Sequence, residues 1–137
     1  METVIRMATE LVVVRVSPLL TDRVIARGDK SDRWRRIAAA AAAQCGRADL
    51  PQVDQPVSLC DAIEVLPDGW LAQICVPGVE LPPGGSSAVA LFLGPEGGWS
   101  QEELEQAREA GVTAVGLGST VLRADTASAA AVVLALR

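Results

Sequence analysis

Phe92-Leu93-Gly94-Pro95-Glu96-Gly97-Gly98-Trp99-Ser100 is the stretch on which the fold turns. Upstream, Ala88 to Leu93 is an unbroken apolar run of strand length, and downstream Ser100 with Glu103 three residues later is a capping-box pattern that opens a helix. Strand, glycine turn and capped helix in that order predict an α/β unit, with the turn at the carboxyl end of the strand, where open α/β sheets bind ligands. Three glycines in five residues let the backbone approach a ligand closely and present amide groups to it. The same spacing also suits an ordinary tight turn. It is neither G-x-G-x-x-G nor a Walker A loop, which needs Lys-Ser/Thr after its last glycine, so dinucleotide and triphosphate binding are disfavoured. Glu96 would be a poor neighbour for phosphate and a good one for positive charge or hydroxyl groups.

Working outward, a second unit of the same kind follows. Thr113 to Leu117 reads as a short strand, Gly118-Ser119-Thr120 as a turn, and the chain closes with a helix from about Thr126. Arg123 and Asp125 stand in a segment otherwise nearly free of charge; a helix-capping Asp125 and a surface ion pair for Arg123 would account for them, as would a site shared by two turns at one sheet edge. Upstream, Leu71 to Val76 reads as a buried strand, followed by a Pro- and Gly-rich loop, Pro77 to Ser87. Nearer the amino end, Val4, Ile5, Ala8 and Leu11 have helical spacing, and Leu11 to Val16 becomes a β-branched strand stopped by Ser17-Pro18. Thr21 to Lys30 is a loop. From Asp32 the positions Trp34, Ile37, Ala38, Ala41 and Cys45 mark a helix, with Gly46 as its stop. Leu50 to Pro56 holds a short strand, and Ser58 opens a short helix. The alternation predicts an α/β fold, a mostly parallel sheet with helices on both faces, in one domain spanning residues 1–137.

With 137 residues, half of them hydrophobic and 21% charged, the chain is a packed globular one. Its longest apolar run, Ala129 to Leu136, is far short of the roughly 18–20 residues that cross a bilayer, and the amino end lacks a secretory pattern. Cys45, Cys60 and Cys75 are odd in number and lack metal-ligand spacing, which predicts reduced thiols, a cytoplasmic setting and no metal. Histidine is absent, which removes Ser-His-Asp triads, Cys-His pairs and imidazole bases. The net charge of −5 divides into +3 over residues 1–50 and −8 over residues 51–137. Most of the positive charge lies in Arg23, Arg27, Lys30, Arg33, Arg35, Arg36 and Arg47, either a solvated face or a set of phosphate contacts. Trp34 begins an apolar stripe and reads as a helix anchor.

The segments Phe92 to Ser100 with Glu102-Glu103, then Gly111, Leu117-Gly118, Val121-Leu122-Arg123 and Asp125-Thr126-Ala127, resemble the signature of the ribosomal RNA small-subunit methyltransferase E family. Those proteins are S-adenosylmethionine-dependent uridine-N3 methyltransferases of the SPOUT superfamily. The resemblance extends upstream through Ala8 to Leu11, Ser17 to Leu19, Arg33 to Ile37, Ala42 to Arg47 and Leu50-Pro51, and covers essentially the whole chain. The family pattern has Gly where this chain has Val12, Glu where it has Ala43, and Glu where it has Asp125. It also has a PUA-like RNA-binding domain ahead of the catalytic domain, which is expected to be absent from this chain.

The resemblance implies a C-terminal trefoil knot whose loops hold the methionine cofactor. Leu93, Gly94, Gly97, Gly98, Leu117, Gly118, Val121 and Leu122 would enclose adenine and ribose, with Glu96, Arg123 and Thr126 beside them. Uridine N3 must lose a proton before or during attack. Arg123 is the candidate to stabilise the anionic uracil or its phosphate, and Asp125 or Glu96 to accept the proton. Arg23, Arg27, Arg33, Arg36 and Arg47 are the candidate contacts to ribosomal RNA or the small subunit. The last helix is apolar all round and must be covered, by its own domain or, as the resemblance implies, by a second copy in a homodimer. Two other readings stand beside the enzyme: a domain that binds cofactor without productive RNA methylation, and an α/β interaction module with no cofactor.

Overall fold

The computed structural model describes residues 1–24, 28–81, 84–85 and 88–137. Helix α1 (Glu2–Glu10) is followed by strands β1 (Arg15–Val16) and β2 (Leu19–Leu20), helix α2 (Ser31–Cys45), strands β3 (Gln52–Val53) and β4 (Val57–Ser58), and helix α3 (Leu59–Glu64). Then come β5 (Leu71–Cys75), β6 (Val89–Phe92), α4 (Gln101–Glu109), β7 (Thr113–Val115) and α5 (Ala124–Leu136). The alanine run makes α2 an efficient helix; of the expected stripe Trp34, Ala38 and Ala41 are buried and Ile37 is half-buried, while Cys45, at the last turn, is exposed. Gly46 ends it in the left-handed conformation, its amide bonded to the Ala42 carbonyl.

All strand pairs among the described residues are parallel: β1 with β3, β2 with β4, and a three-stranded sheet in the order β6-β5-β7. In that sheet Ile74 lies opposite Phe92 on one side and Ala114 on the other. Because the three strands run the same way, the segments that follow Cys75, Phe92 and Val115 emerge at one edge. Side chains from β5, β6, α3 and α4 form one core (Leu59, Ala62, Ile74, Phe92, Trp99, Ala107, Val112), and Ile5, Trp34, Ala38 and Val53 form a second beneath α1 and α2. Trp34 is a core anchor, as its position in the stripe indicated.

Four features depart from the sequence reading. Of the strand expected over Leu11 to Val16 only Arg15–Val16 pairs, because the chain leaves α1 through a turn at Leu11 and Val12, where Val12 has φ +64°. The two-residue strands β2 and β4 were not anticipated; Pro18 interrupts β1, but the chain resumes pairing when Leu19 meets Val57 across a long sequence separation. The last helix begins at Ala124, before the expected Thr126. It is also not enclosed: only Ala131 and Ala135 are buried, while Val133 and Leu136 are exposed, because α5 packs by one edge on α1 and β6. Near its start the chain crosses itself closely. A side chain at Gly116 would place its Cβ 1.8 Å from the Val79 carbonyl oxygen, and the Gly116 amide donates to the Glu80 carbonyl at 2.7 Å. Only glycine permits that contact. No helix of the described residues is long and apolar enough to cross a membrane.

Candidate functional site

The turn after β6 is held on several sides. Gly98, at φ +75°, donates its amide to the Pro95 carbonyl at 2.8 Å, a backbone region that side-chain-bearing residues avoid. Trp99 points inward, buried, and its Nε1 donates to the Cys75 carbonyl at 3.0 Å, so the turn is fastened to the end of β5. The indole lies against the backbone of Gly94, where a Cβ would come within 3.0 Å of the ring. Ser100 then caps α4 in a complete capping box with Glu103. Glu103 is itself buried, and its carboxylate accepts from the Ser100 and Asp22 amides, each at 2.8 Å.

The turn after β7 has fewer restraints. Val121 is 81% exposed, and Arg123 precedes α5 as its N-cap residue with no side-chain cap, its carbonyl accepting from the Ala127 amide at 2.8 Å. Asp125 lies in the first turn of the helix and accepts from the Thr126 amide at 2.8 Å.

Between the two turns, closed on a third side by Cys75, Val76 and Pro77, lies a cavity of about 290 Å³. That is near the lower end of the range of small-molecule sites. Its walls are alkyl side chains (Leu93, Leu117, Val121, Leu122) and glycine backbone, with Glu96 as the carboxylate on an exposed rim. Burial pushes the Cys75 thiol up to about 11, so it stays protonated at neutral pH and is not a nucleophile there. A larger depression of about 580 Å³ lies elsewhere, beside β3 and α3. Both arginines on its wall are already paired, Arg15 with Asp54 at 2.7 Å and Arg35 with Asp32 at 2.9 Å. Burial works to raise the Asp54 pKa, but hydrogen bonds from Ser17, Arg15 and Gln52 outweigh it and hold the carboxyl below its ordinary value. The smaller cavity, where three strand ends, glycine backbone and an exposed rim converge, is the candidate site.

The sequence matches the family model of an RNA methyltransferase domain over residues 1–136. The chain belongs to that family. Among the relatives of this RNA methyltransferase domain is the ribosomal RNA small subunit methyltransferase E of Synechocystis sp., 36% identical over 92% of this chain and 45% of the relative. The protein of the same name from Aquifex aeolicus is 30% identical over 93% of this chain and 58% of its own length. The chain thus spans about half the length of these relatives. Among solved structures, ribosomal RNA small subunit methyltransferase E from Neisseria gonorrhoeae, bound to S-adenosyl methionine, superposes with a TM-score of 0.87 at 33% identity. That match covers 96% of this chain and 58% of the other. The mixed α/β architecture with parallel strands is that of these neighbours.

Of the residues expected to hold a cofactor in this RNA methyltransferase domain, Leu93, Gly94, Glu96, Gly98, Leu117, Gly118, Val121 and Leu122 line the cavity. Gly97, Arg123 and Thr126 are adjacent in sequence but not part of its wall. Trp99, Cys75, Val76 and Pro77 are wall residues that the sequence reading did not single out. The apolar strand over Leu71 to Val76 was visible, but its central place in the sheet comes from pairing with both β6 and β7.

The basic residues with described positions differ in exposure and partners. Arg33 is exposed and paired with Glu2 at 2.7 Å; Arg36 is exposed and has no ion pair among the described residues. Arg23 reaches the glycine turn, its Nη1 donating to the Gly97 carbonyl at 2.6 Å. Arg27 lies outside the described residues. Arg47 requires a correction: its side chain is 6% exposed and donates to the Thr9 and Val13 carbonyls and to both carboxylate oxygens of Asp49. A guanidinium so enclosed joins α1 to the end of α2 and is not presented to a phosphate.

Proposed function

We propose that this chain binds S-adenosylmethionine in the cavity between its two glycine-bearing turns and methylates N3 of a uridine in small-subunit (16S) ribosomal RNA, in the cytoplasm. The cavity carries the reading: two turns and a strand end meet around a mostly apolar space with backbone polar groups at its wall. Its alkyl lining, glycine backbone and rim carboxylate suit the chemical groups of the cofactor. Leu93, Leu117, Val121 and Leu122 would exclude water from the adenine, and backbone groups of Gly94, Gly98 and Gly118 would supply directional hydrogen bonds. Glu96, on the rim, suits a ribose hydroxyl or the positive charge of the cofactor. When bound, S-adenosylmethionine supplies an electrophilic methyl group.

The chain's own residues then have to manage the uracil. Arg123 stands at the start of α5, exposed and next to the wall residues Leu122 and Ala124, a place from which a fixed cation can lower the cost of the N3 anion. Asp125 or Glu96 accepts the N3 proton, directly or through water. Arg33 and Arg36 are the candidates for phosphate contact, with Arg23 only through the N–H groups that the Gly97 carbonyl does not engage. The close crossing at Gly116 supports a C-terminal knot, with the chain after β7 passing the segment at Val79 and Glu80. The open apolar side of α5, with Val133 and Leu136, supports a homodimer through that helix.

A second reading follows from the share of the relatives that the chain spans: cofactor binding by these residues without productive methylation of RNA. Calorimetry with S-adenosylhomocysteine tests the cofactor site, and absence of binding refutes both readings. Transfer of labelled methyl to deproteinised 16S RNA or to assembled small subunits then separates them, since labelling at uridine N3 occurs only under the first. Sedimentation that shows a monomer at every concentration refutes the dimer.

A further inference from the structure

The Gly97–Gly98 peptide unit is held at both ends. Its N–H, from Gly98, donates to the Pro95 carbonyl at 2.8 Å, and its C=O, from Gly97, accepts from Arg23 Nη1 at 2.6 Å. Flanked by two residues without a Cβ, such a peptide has little steric resistance to flipping, which would exchange the positions of its donor and acceptor. Gly98 is part of the cavity wall, so the orientation of this peptide, both of whose polar groups are bonded within the turn, sets the course of the wall backbone through Gly98 and with it the direction of the Gly98 carbonyl.

Arg23 is well placed to fix it. Its own backbone is anchored by its neighbour: the Asp22 amide donates to Glu103 Oε1 at 2.8 Å, and the Asp22 carboxylate accepts from the Ser100 hydroxyl at 2.5 Å. Both contacts are to the first turn of α4, which the glycine turn enters directly. The alkyl part of Arg23 also follows the turn, since a Cβ at Gly97 would stand 3.5 Å from Arg23 Cβ. An arginine that begins the basic segment is thereby joined to the wall of the cavity.

From this arrangement we infer that Arg23 is a positioning residue for the cofactor site: anchored through Asp22, it holds the Gly97–Gly98 peptide in its binding orientation. The inference rests on the proposed cofactor reading and adds to it a residue outside the cavity. A charge-assisted bond to a carbonyl is strong enough to decide between two orientations of a glycine peptide.

The test uses the full chain, with S-adenosylhomocysteine as the probe. Arg23→Ala weakens its binding about tenfold, as expected for the loss of one hydrogen bond from a charged donor, and Arg23→Lys, which keeps one donor in reach, recovers part of that loss. Hydrogen exchange in the absence of ligand gives a second readout: Arg23→Ala accelerates exchange of the Gly98 amide, while amides in the middle of α4 keep their protection. Equal affinity for the original and Arg23→Ala chains, or unchanged Gly98 exchange, overturns the inference. Failure of the unmodified chain to bind refutes the cofactor reading itself, and the inference with it.

Discussion

The two glycine-bearing turns start from similar chain grammar, each following a short strand and entering a helix, yet the fold treats them differently. The turn after β6 has a complete helix cap, an inward tryptophan bonded to β5, and an arginine from a distant loop on its carbonyl. The turn after β7 enters a helix without a side-chain cap, and its Val121 is almost fully exposed. A site with one preset wall and one less restrained wall suits a ligand that must enter and leave, since the first provides directional bonds and the second has little local structure to disturb. A third turn, between α1 and β1, belongs with the first: Val12 sits at φ +64°, a strained conformation for a β-branched residue, and Arg47 donates to the Thr9 and Val13 carbonyls on either side of it. In both restrained turns an arginine from elsewhere in the chain donates to backbone carbonyls of the turn.

The contrast can be broken by substitution. Arg123→Ala, in the less restrained turn, is expected to have the largest effect on chemistry, lowering methyl transfer by about 100-fold or more while cofactor affinity stays within about tenfold. Single-turnover kinetics beside calorimetry measures the two, and equal activity would remove Arg123 from the mechanism. Glu103→Ala should have the largest effect on stability, about 2–3 kcal/mol in urea denaturation, because the Ser100 and Asp22 amides lose a buried acceptor. Asp125→Ala, the parallel change in the other turn, should cost less than about 1 kcal/mol, since one exposed local bond is lost. Similar losses for the two would show that the turns are equally restrained. Val12→Gly should stabilise the chain by about 1 kcal/mol, relief of left-handed strain outweighing the greater freedom of glycine in the unfolded state. Destabilisation would mean that Val12 is not strained in solution. Val121→Ser is expected to shift unfolding of the ligand-free chain by less than about 0.5 kcal/mol, in keeping with its exposure.

Much of this was legible along the chain. The helix over the alanine run, its end at Gly46, the Ser100–Glu103 cap and the place of both turns after apolar strands each depend on residues within a few positions of one another. Eight residues expected around a cofactor do share one cavity, because strands that run parallel deliver their following turns to the same edge. The strands β2 and β4 were illegible for the opposite reason: two residues are too few to show an alternating pattern, and only pairing across 38 positions makes them strands.

The same division applies to charge. Composition and spacing were enough to indicate an α/β chain with two glycine-bearing turns after apolar strands and positive charge concentrated in its first part. Which arginines remain available was decided in three dimensions, where Arg47 is enclosed between α1 and the end of α2 and Arg23 is drawn onto the Gly97 carbonyl. Side-chain type announces what a residue can donate, whereas its acceptor is chosen by backbone that lies 34 to 74 positions away. Burial of α5 was settled in the same way, since an apolar sequence shows that a helix seeks cover but not how much of that cover its own domain supplies.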